Sequence, residues 1–209
     1  MANKSKYEKI LDALQELLFD KDMVSISVSE IAQKAGIGKG SVYYYFPSKD
    51  AILEALIERN YEKPINTAKN LAKQTNVSPF TRMAMIFQTC RNSSLAFLSY
   101  NTPSKLTSAQ ESALIHQKYL RHLIQELKPE LTEIIKQGIE IGEIHFDRPA
   151  ALAEIVLIVI SVKLDNTLYP SDEKEIEDTI LGLISLLEKG TENPAGSLNF
   201  LSSWLDSDT

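Results

Sequence analysis

The chain has 209 residues, 44% hydrophobic and 24% charged, enough to bury a core in one domain or two small ones. Its 22 Lys and Arg against 28 Asp and Glu give a formal net charge of -6, which excludes a generally basic coat and confines any nucleic-acid contact to a local patch. The single cysteine, Cys90, excludes an intramolecular disulfide framework and a cysteine-clustered zinc site and fits a reducing compartment.

Residues 1–9 are polar and mixed in charge, without the apolar stretch of a signal peptide, so the expectation is a cytoplasmic protein. Apolar residues then recur at helical spacing almost throughout, and no segment alternates convincingly as a strand. The expected fold is all-α. A first helix shows its buried face at Tyr7, Ile10, Leu11, Leu14, Leu17 and Leu18. A second begins at the capping box formed by Ser27 and Glu30, buries Val28, Ile31, Ala32 and Ala35, and stops at Gly36. A third, of two turns, follows Gly38 and ends at Phe46, because Pro47 restricts the residue before it. Ser48 caps a fourth helix with the stripe Ile52, Leu53, Leu56 and Ile57, running towards Tyr61, and Pro64 is expected to kink or end it.

Ser78 and Pro79 open a helix with the stripe Phe80, Met83, Phe87, Cys90, Ser94 and Phe97. Residues 101–105 read as a loop, and 107–141 as helix, with Pro129 either kinking it or opening a second helix striped by Leu131, Ile134, Ile135 and Ile139. Residues 150–162 are the most apolar run, but it is too short for a bilayer and contains Glu154. It reads as a helix buried on two sides. The last long helix, over 173–188, carries Ile176, Ile180, Leu183, Ile184 and Leu187 and ends at Gly190. In the tail, Leu198, Leu201, Trp204 and Leu205 suggest a docking turn. The expected division is a three-helix N-terminal part over 1–47, a helical part over 48–190 whose segment 48–63 connects the two, and a tail over 191–209.

Two short helices joined through Gly36 are a helix-turn-helix arrangement, whose second helix enters the major groove. From Ile31 onwards to Lys49 there are three lysines (Lys34, Lys39, Lys49), no acid, and interleaved aromatics. Gly40 lets backbone approach DNA, Ser41 is small enough to reach a base edge, and Tyr43, Tyr44 and Tyr45 point about 100° apart, so one or two face outward while another packs with Phe46. The third helix has no Arg, Asn or Gln. Bidentate base readout, worth about 1 to 3 kcal/mol per pair, is therefore limited to Lys39 on guanine, and shape readout with phosphate positioning is expected to matter more.

The segment SVSEIAQKAGIGKGSVYYYFPSKD at 27–50 resembles the DNA-binding signature of the TetR family, without gaps, and the resemblance is strong over 10–56. It implies an all-helical homodimer with three N-terminal DNA-binding helices and a C-terminal domain that binds a small-molecule effector and its twin. By position, the family's DNA contacts fall on Ser27, Val28, Ser29, Lys39, Gly40, Ser41, Tyr43, Tyr44, Tyr45 and Lys49. Where many members carry a polar phosphate contact this chain has Val28, which offers only its backbone.

Other motifs read as structure. The stretch Gly38, Lys39, Gly40, Ser41 lacks the earlier glycine of a P-loop, since Gln33 stands there. His116, His122 and His145 lack metal-ligand spacing, no nucleophile motif is present, and no enzyme activity or cofactor is expected. An effector pocket is placed around Met83, Phe87, Cys90, Arg91, Ser94, Phe97, Tyr100, His116 and Tyr119, a mostly apolar set with a few polar anchors. The dimer interface is placed on Leu152, Ile155, Val156, Val159, Ile180, Leu183, Ile184 and Leu187, two helices per chain meeting their symmetry mates, with Glu154 and Lys163 at the edges. The expected function is a ligand-responsive repressor on a pseudo-palindromic operator, with no membrane partner. The alternative is an architectural or nucleoid-associated DNA binder that has no effector.

Overall fold

Side chains that close the backbone at helix starts set the architecture. In the computed structural model, which describes residues 5–100, 109–166 and 169–202 and omits the side chains of 93–100, 109–116, 164 and 165, the described residues are helical with no strand. Ser5 Oγ accepts the Glu8 N–H at 3.2 Å and opens α1 (Lys6–Leu17). At α2 (Val28–Lys34) the capping box is complete: Ser27 Oγ accepts the Glu30 N–H at 3.2 Å, and Glu30 Oε2 accepts the Ser27 N–H at 2.8 Å. The helix ends where Gly36 turns to φ +66°, with Ile37 N–H donating to the Ala32 carbonyl and Gly36 N–H to that of Gln33, a double closure that favours glycine. A third helix, α3 (Lys39–Tyr45), stops at extended Phe46 before Pro47, as the proline ring requires.

Next comes α4 (Lys49–Leu71), whose Ala51 N–H donates to Ser48 Oγ at 3.1 Å. Pro64 neither ends nor interrupts it. Proline removes only its own N–H, and here its ring is buried among the helix's inward positions with Ile65, Ala68 and Leu71. Then follow α5 (Pro79–Tyr100), α6 (Ala109–Glu140), α7 (Pro149–Asp165), α8 (Glu173–Gly190) and a short 3-10 helix (Asn199–Ser202). Of the two readings of Pro129, the continuous helix is the observed one. The expected loop at 101–105 and the expected docking residues Trp204 and Leu205 lie outside the described residues.

The chain forms two compact units, Met1–Tyr61 with Leu95–Tyr119, and Glu62–Ser94 with Leu120–Thr209. In the first, Ile10, Leu11 and Leu14 of α1, Ile31 of α2, Val42 of α3 and Ile52 and Leu56 of α4 are buried. Arg59 on α4 clamps this core from outside, donating to Glu8 at 3.0 Å, Asp12 at 2.9 Å and Gln15 at 2.7 Å, all on α1. The Tyr61 and Tyr119 rings lie 4.3 Å apart, and Lys118 pairs with Glu54 at 2.9 Å.

In the second unit the buried residues include Phe80, Ile86 and Phe87 of α5, Leu127, Leu131 and Ile134 of α6, Val156 and Leu157 of α7, and Ile180 and Ile184 of α8. Arg82 is buried among them. Its guanidinium donates to the Leu71 carbonyl at 3.3 Å and to Gln137 Oε1 at 2.6 Å, while Gln137 Nε2 donates to the Ala72 carbonyl at 3.1 Å. A cation against the last carbonyls of α4 complements the negative end of that helix, and burial still pushes the Arg82 pKa down, against the pull of Glu143. The tail docks on α8 through buried Leu198 and Leu201, and the buried Glu188 carboxylate accepts the Leu198 N–H at 2.8 Å.

Removing the three-point clamp with Arg59→Ala is expected to lower the unfolding free energy by about 1 to 3 kcal/mol, since it abolishes charge-assisted bonds in a half-buried setting. Urea unfolding followed by circular dichroism measures it, and an unchanged midpoint would show that the clamp contributes nothing.

Candidate nucleic-acid interface

Because α3 buries only Val42, with Phe46 just beyond it, the remaining side chains of its two turns face outward. Tyr44 is 82% exposed, Tyr43 is exposed, and Tyr45 is 39% exposed. Tyr45 is the braced member of the three, edge-on to the Tyr7 ring at 6.4 Å and to the Tyr44 ring at 5.1 Å, while Phe46 lies 4.9 Å from Tyr7. Tyr44 packs edge-on with Tyr45 and leaves most of its ring in water, so packing does not account for a bulky aromatic there. Gly40 is exposed with open space where a Cβ would stand, so the fold itself does not require glycine there. Ser41 is half-buried beside it.

At the start of α2, Ser29 is exposed, Ser27 has its hydroxyl in the capping box, and Val28 is half-buried. Glu30 accepts from Lys21 at 2.5 Å in addition to closing the box. These bonds, Lys21 first and Ser27 next, hold the Glu30 carboxyl near a pKa of about 2, so the cap keeps its charge well into the acidic range.

The lysines of the acid-free stretch have different jobs. Lys34 pairs with Glu16 on α1 at 2.8 Å. Lys39 is exposed, its ammonium 6.0 Å from the centre of the Tyr43 ring, and it forms no ion pair among the described residues. Lys49, expected by position to touch DNA, instead turns inward: its ammonium donates to the Met23 carbonyl, to that of Ile26 at 2.8 Å and to that of Val24 at 3.2 Å. An ammonium has three N–H donors, and the loop between α1 and α2 takes all of them. The sequence pattern also passes over Lys6. It lines an outward groove with Gly40, Ser41, Tyr44 and Tyr45, and only the packing of α1 on α3 brings it there.

Of the expected effector residues, Met83, Phe87 and Cys90 are buried on α5, Arg91 is half-buried, and Tyr119 is buried in the first unit. The side chains of Ser94, Phe97, Tyr100 and His116 lie outside the described residues. His122, one helical turn beyond Tyr119 on α6, buries its Nε2 with no hydrogen-bond partner among the described residues. Burial pushes the Cys90 thiol up to about 12, which keeps it protonated and unreactive at neutral pH. No cluster of metal-ligating side chains occurs among the described residues, nor any helix long and apolar enough to cross a membrane.

On the helices expected to pair between protomers, Leu152, Val156, Ile180, Leu183, Ile184 and Leu187 are buried within the chain and Val159 is half-buried. Ile155 is 53% exposed, and the other outward apolar residues are Ile158 on α7 with Leu181 and Leu186 on α8, Leu186 being 69% exposed. Glu154 pairs with Lys128 at 2.6 Å and Lys163 donates to Ser171 Oγ at 2.8 Å, so both are engaged inside the protomer.

Comparison with known proteins assigns both parts of the chain. The family model described as bacterial regulatory proteins, tetR family, matches residues 10–56, and the one described as tetracyclin repressor-like, C-terminal domain, matches 98–184; together they take in well over half of the chain. An uncharacterized HTH-type transcriptional regulator of Bacillus subtilis, YvdT, is 45% identical over 53 residues, which are 25% of this chain and 27% of YvdT. The fatty acid metabolism regulator protein of the same organism is 24% identical over 202 residues, covering 91% of this chain and 97% of the relative. The chain thus spans about a quarter of the first relative's length and nearly all of the second's. Among solved structures, SmeT, the repressor of a Stenotrophomonas maltophilia multidrug efflux pump, superposes with a TM-score of 0.64 at 13% identity, covering 89% of this chain and 90% of SmeT, a likeness of fold.

Lys49→Met should destabilise the first unit by about 1 to 3 kcal/mol, because three carbonyls lose their donor. Tyr44→Phe, at an exposed ring, should leave the melting temperature unchanged. Thermal melts of both variants check this, and a Lys49→Met protein as stable as the wild type would contradict the inward role.

Proposed function

Because this chain belongs to the TetR family of bacterial regulatory proteins, we propose that it is a sequence-specific DNA-binding regulator, a repressor released from a pseudo-palindromic operator by a small molecule. The observation that carries the reading is the outer edge of α3: Tyr43 and Tyr44 exposed, Lys39 beside them, and no acid between Ile31 and Lys49. Aromatic hydroxyls and a lysine on a helix in the major groove position the protein on phosphates and test groove shape more than they read base edges.

Two such helices are needed to read a two-fold site, so the protein acts as a homodimer. Exposed Ile155 and Ile158 on α7 with Leu181 and Leu186 on α8 support that pairing, since four large apolar side chains otherwise stay in water. With half-sites spaced by roughly 34 to 36 Å or a multiple, an effector that favours another separation of the recognition helices shifts the population away from the DNA-bound form. The uninterrupted α4 carries residues of both units on one helix and is the proposed route of that signal. Buried Met83 and Phe87 favour an effector with an apolar body, and the full-length relative named for fatty acid metabolism makes compounds of that metabolism the first to test.

Selection of genomic fragments by the purified protein is expected to enrich a two-fold symmetric site, and Tyr44→Ala to abolish that enrichment. No enrichment by the wild type, with or without cell extract, would sink the reading. Separately, an Ile155→Glu, Leu186→Glu double variant should sediment as a monomer and bind operator at least tenfold more weakly; a dimer that persists would move the interface elsewhere.

A further inference from the structure

Between the first turn of α1 and the outer edge of α3 lies a groove of about 310 Å³ lined by Lys6, Gly40, Ser41, Tyr44 and Tyr45. The lining holds one ammonium, three hydroxyls and a glycine, and no carboxylate. Lys6 is exposed and forms no ion pair among the described residues. The acid nearest to it in sequence, Glu8, is bound to Arg59 at 3.0 Å and so does not neutralise it. Nor is its place beside α3 incidental, because the next residue, Tyr7, is fixed against Phe46 at 4.9 Å and Tyr45 at 6.4 Å.

A cation with several hydroxyl donors and no competing acid suits a tetrahedral oxyanion. An ammonium on a flexible stem supplies charge without the planar fork that reads a base edge. We infer that this groove seats a phosphate of the DNA backbone flanking the bases that α3 meets, with Lys6 supplying the charge and Ser41 and Tyr44 donating to its oxygens. The inference rests on the DNA-binding reading above and adds a phosphate site built by α1. Its mark is a drop in affinity that does not depend on sequence, because a backbone phosphate carries none.

The test is fluorescence anisotropy of a labelled double-stranded DNA of random sequence, with salt varied from about 50 to 200 mM, for the wild type, Lys6→Ala, Lys6→Arg and Lys73→Ala. Lys73 is an exposed lysine just beyond α4 and controls for the change in net charge. Leaving one phosphate per protomer without its cation lowers the salt slope by about 0.9, so the advantage of wild type over Lys6→Ala should shrink about three- to fourfold per bound protomer across that range. Lys6→Arg should keep the slope and Lys73→Ala should leave it unchanged. A Lys6→Ala slope equal to wild type, or an equal drop in Lys73→Ala, overturns the inference while leaving DNA binding standing. A wild type that shows no salt-dependent binding at all overturns the DNA-binding reading, and this phosphate site with it.

Discussion

A helix of seven residues has no stability of its own, because nucleating the first turn costs more than so few hydrogen bonds return. The N-terminal end of this chain is organised around holding α3 by its one inward edge. Val42 is fully buried, Phe46 is anchored on Tyr7, and Pro47 fixes where the helix ends. Everything the helix presents to a partner is therefore positioned from behind, by α1, α2 and α4. The capping box at Ser27, the double closure at Gly36 and the Arg59 clamp on α1 all serve the same constraint. Three tyrosines in succession become tolerable only under it, since the packed edge supplies the stability that the exposed rings do not.

An acidic chain with one local cationic stretch must also control where each cation goes. Lys34, Lys39 and Lys49 lie within one acid-free stretch, yet they meet three different environments: a carboxylate on α1, an aromatic ring on α3, and a fan of loop carbonyls. The difference is one of direction along a helix. Lys49 begins α4 on the side facing the loop after α1, where three backbone carbonyls lie in reach, and solvation by water is replaced by three fixed bonds. Lys39 begins α3 on its outer side and meets nothing stronger than a ring.

In the second unit the same principle explains a buried charge. At the end of α4 the Ala72 carbonyl is taken by Gln137, and the Leu71 carbonyl is shared between the Gln74 N–H and Arg82. The cost of burying a guanidinium is offset in part by the Leu71 carbonyl, which also accepts the Gln74 N–H, and by the Gln137 amide oxygen. Prolines at 64 and 129 sit inside long helices for a related reason: each removes a single donor, and a helix of 23 or 32 residues retains enough bonds and packing to continue.

The sequence by itself determined the helical class, the capped start of α2, the end of α3 before Pro47 and the turn at Gly36, because caps, prolines and the period of apolar residues act within a few positions of one another, while which tyrosines stay exposed was left to the packing. It marked α7 as buried on two sides but not which apolar residues stay outside, since a helix that is apolar nearly all round has no phase to read. That α7 leaves Ile155 and Ile158 in water, that Lys49 serves the fold, that Lys6 stands beside α3, and that α4 runs past Pro64 were decided only by tertiary structure. Each depends on which surface of a neighbouring helix lies across from it, and a pair such as Lys49 and Met23, 26 positions apart in the chain, carries no local signal of meeting.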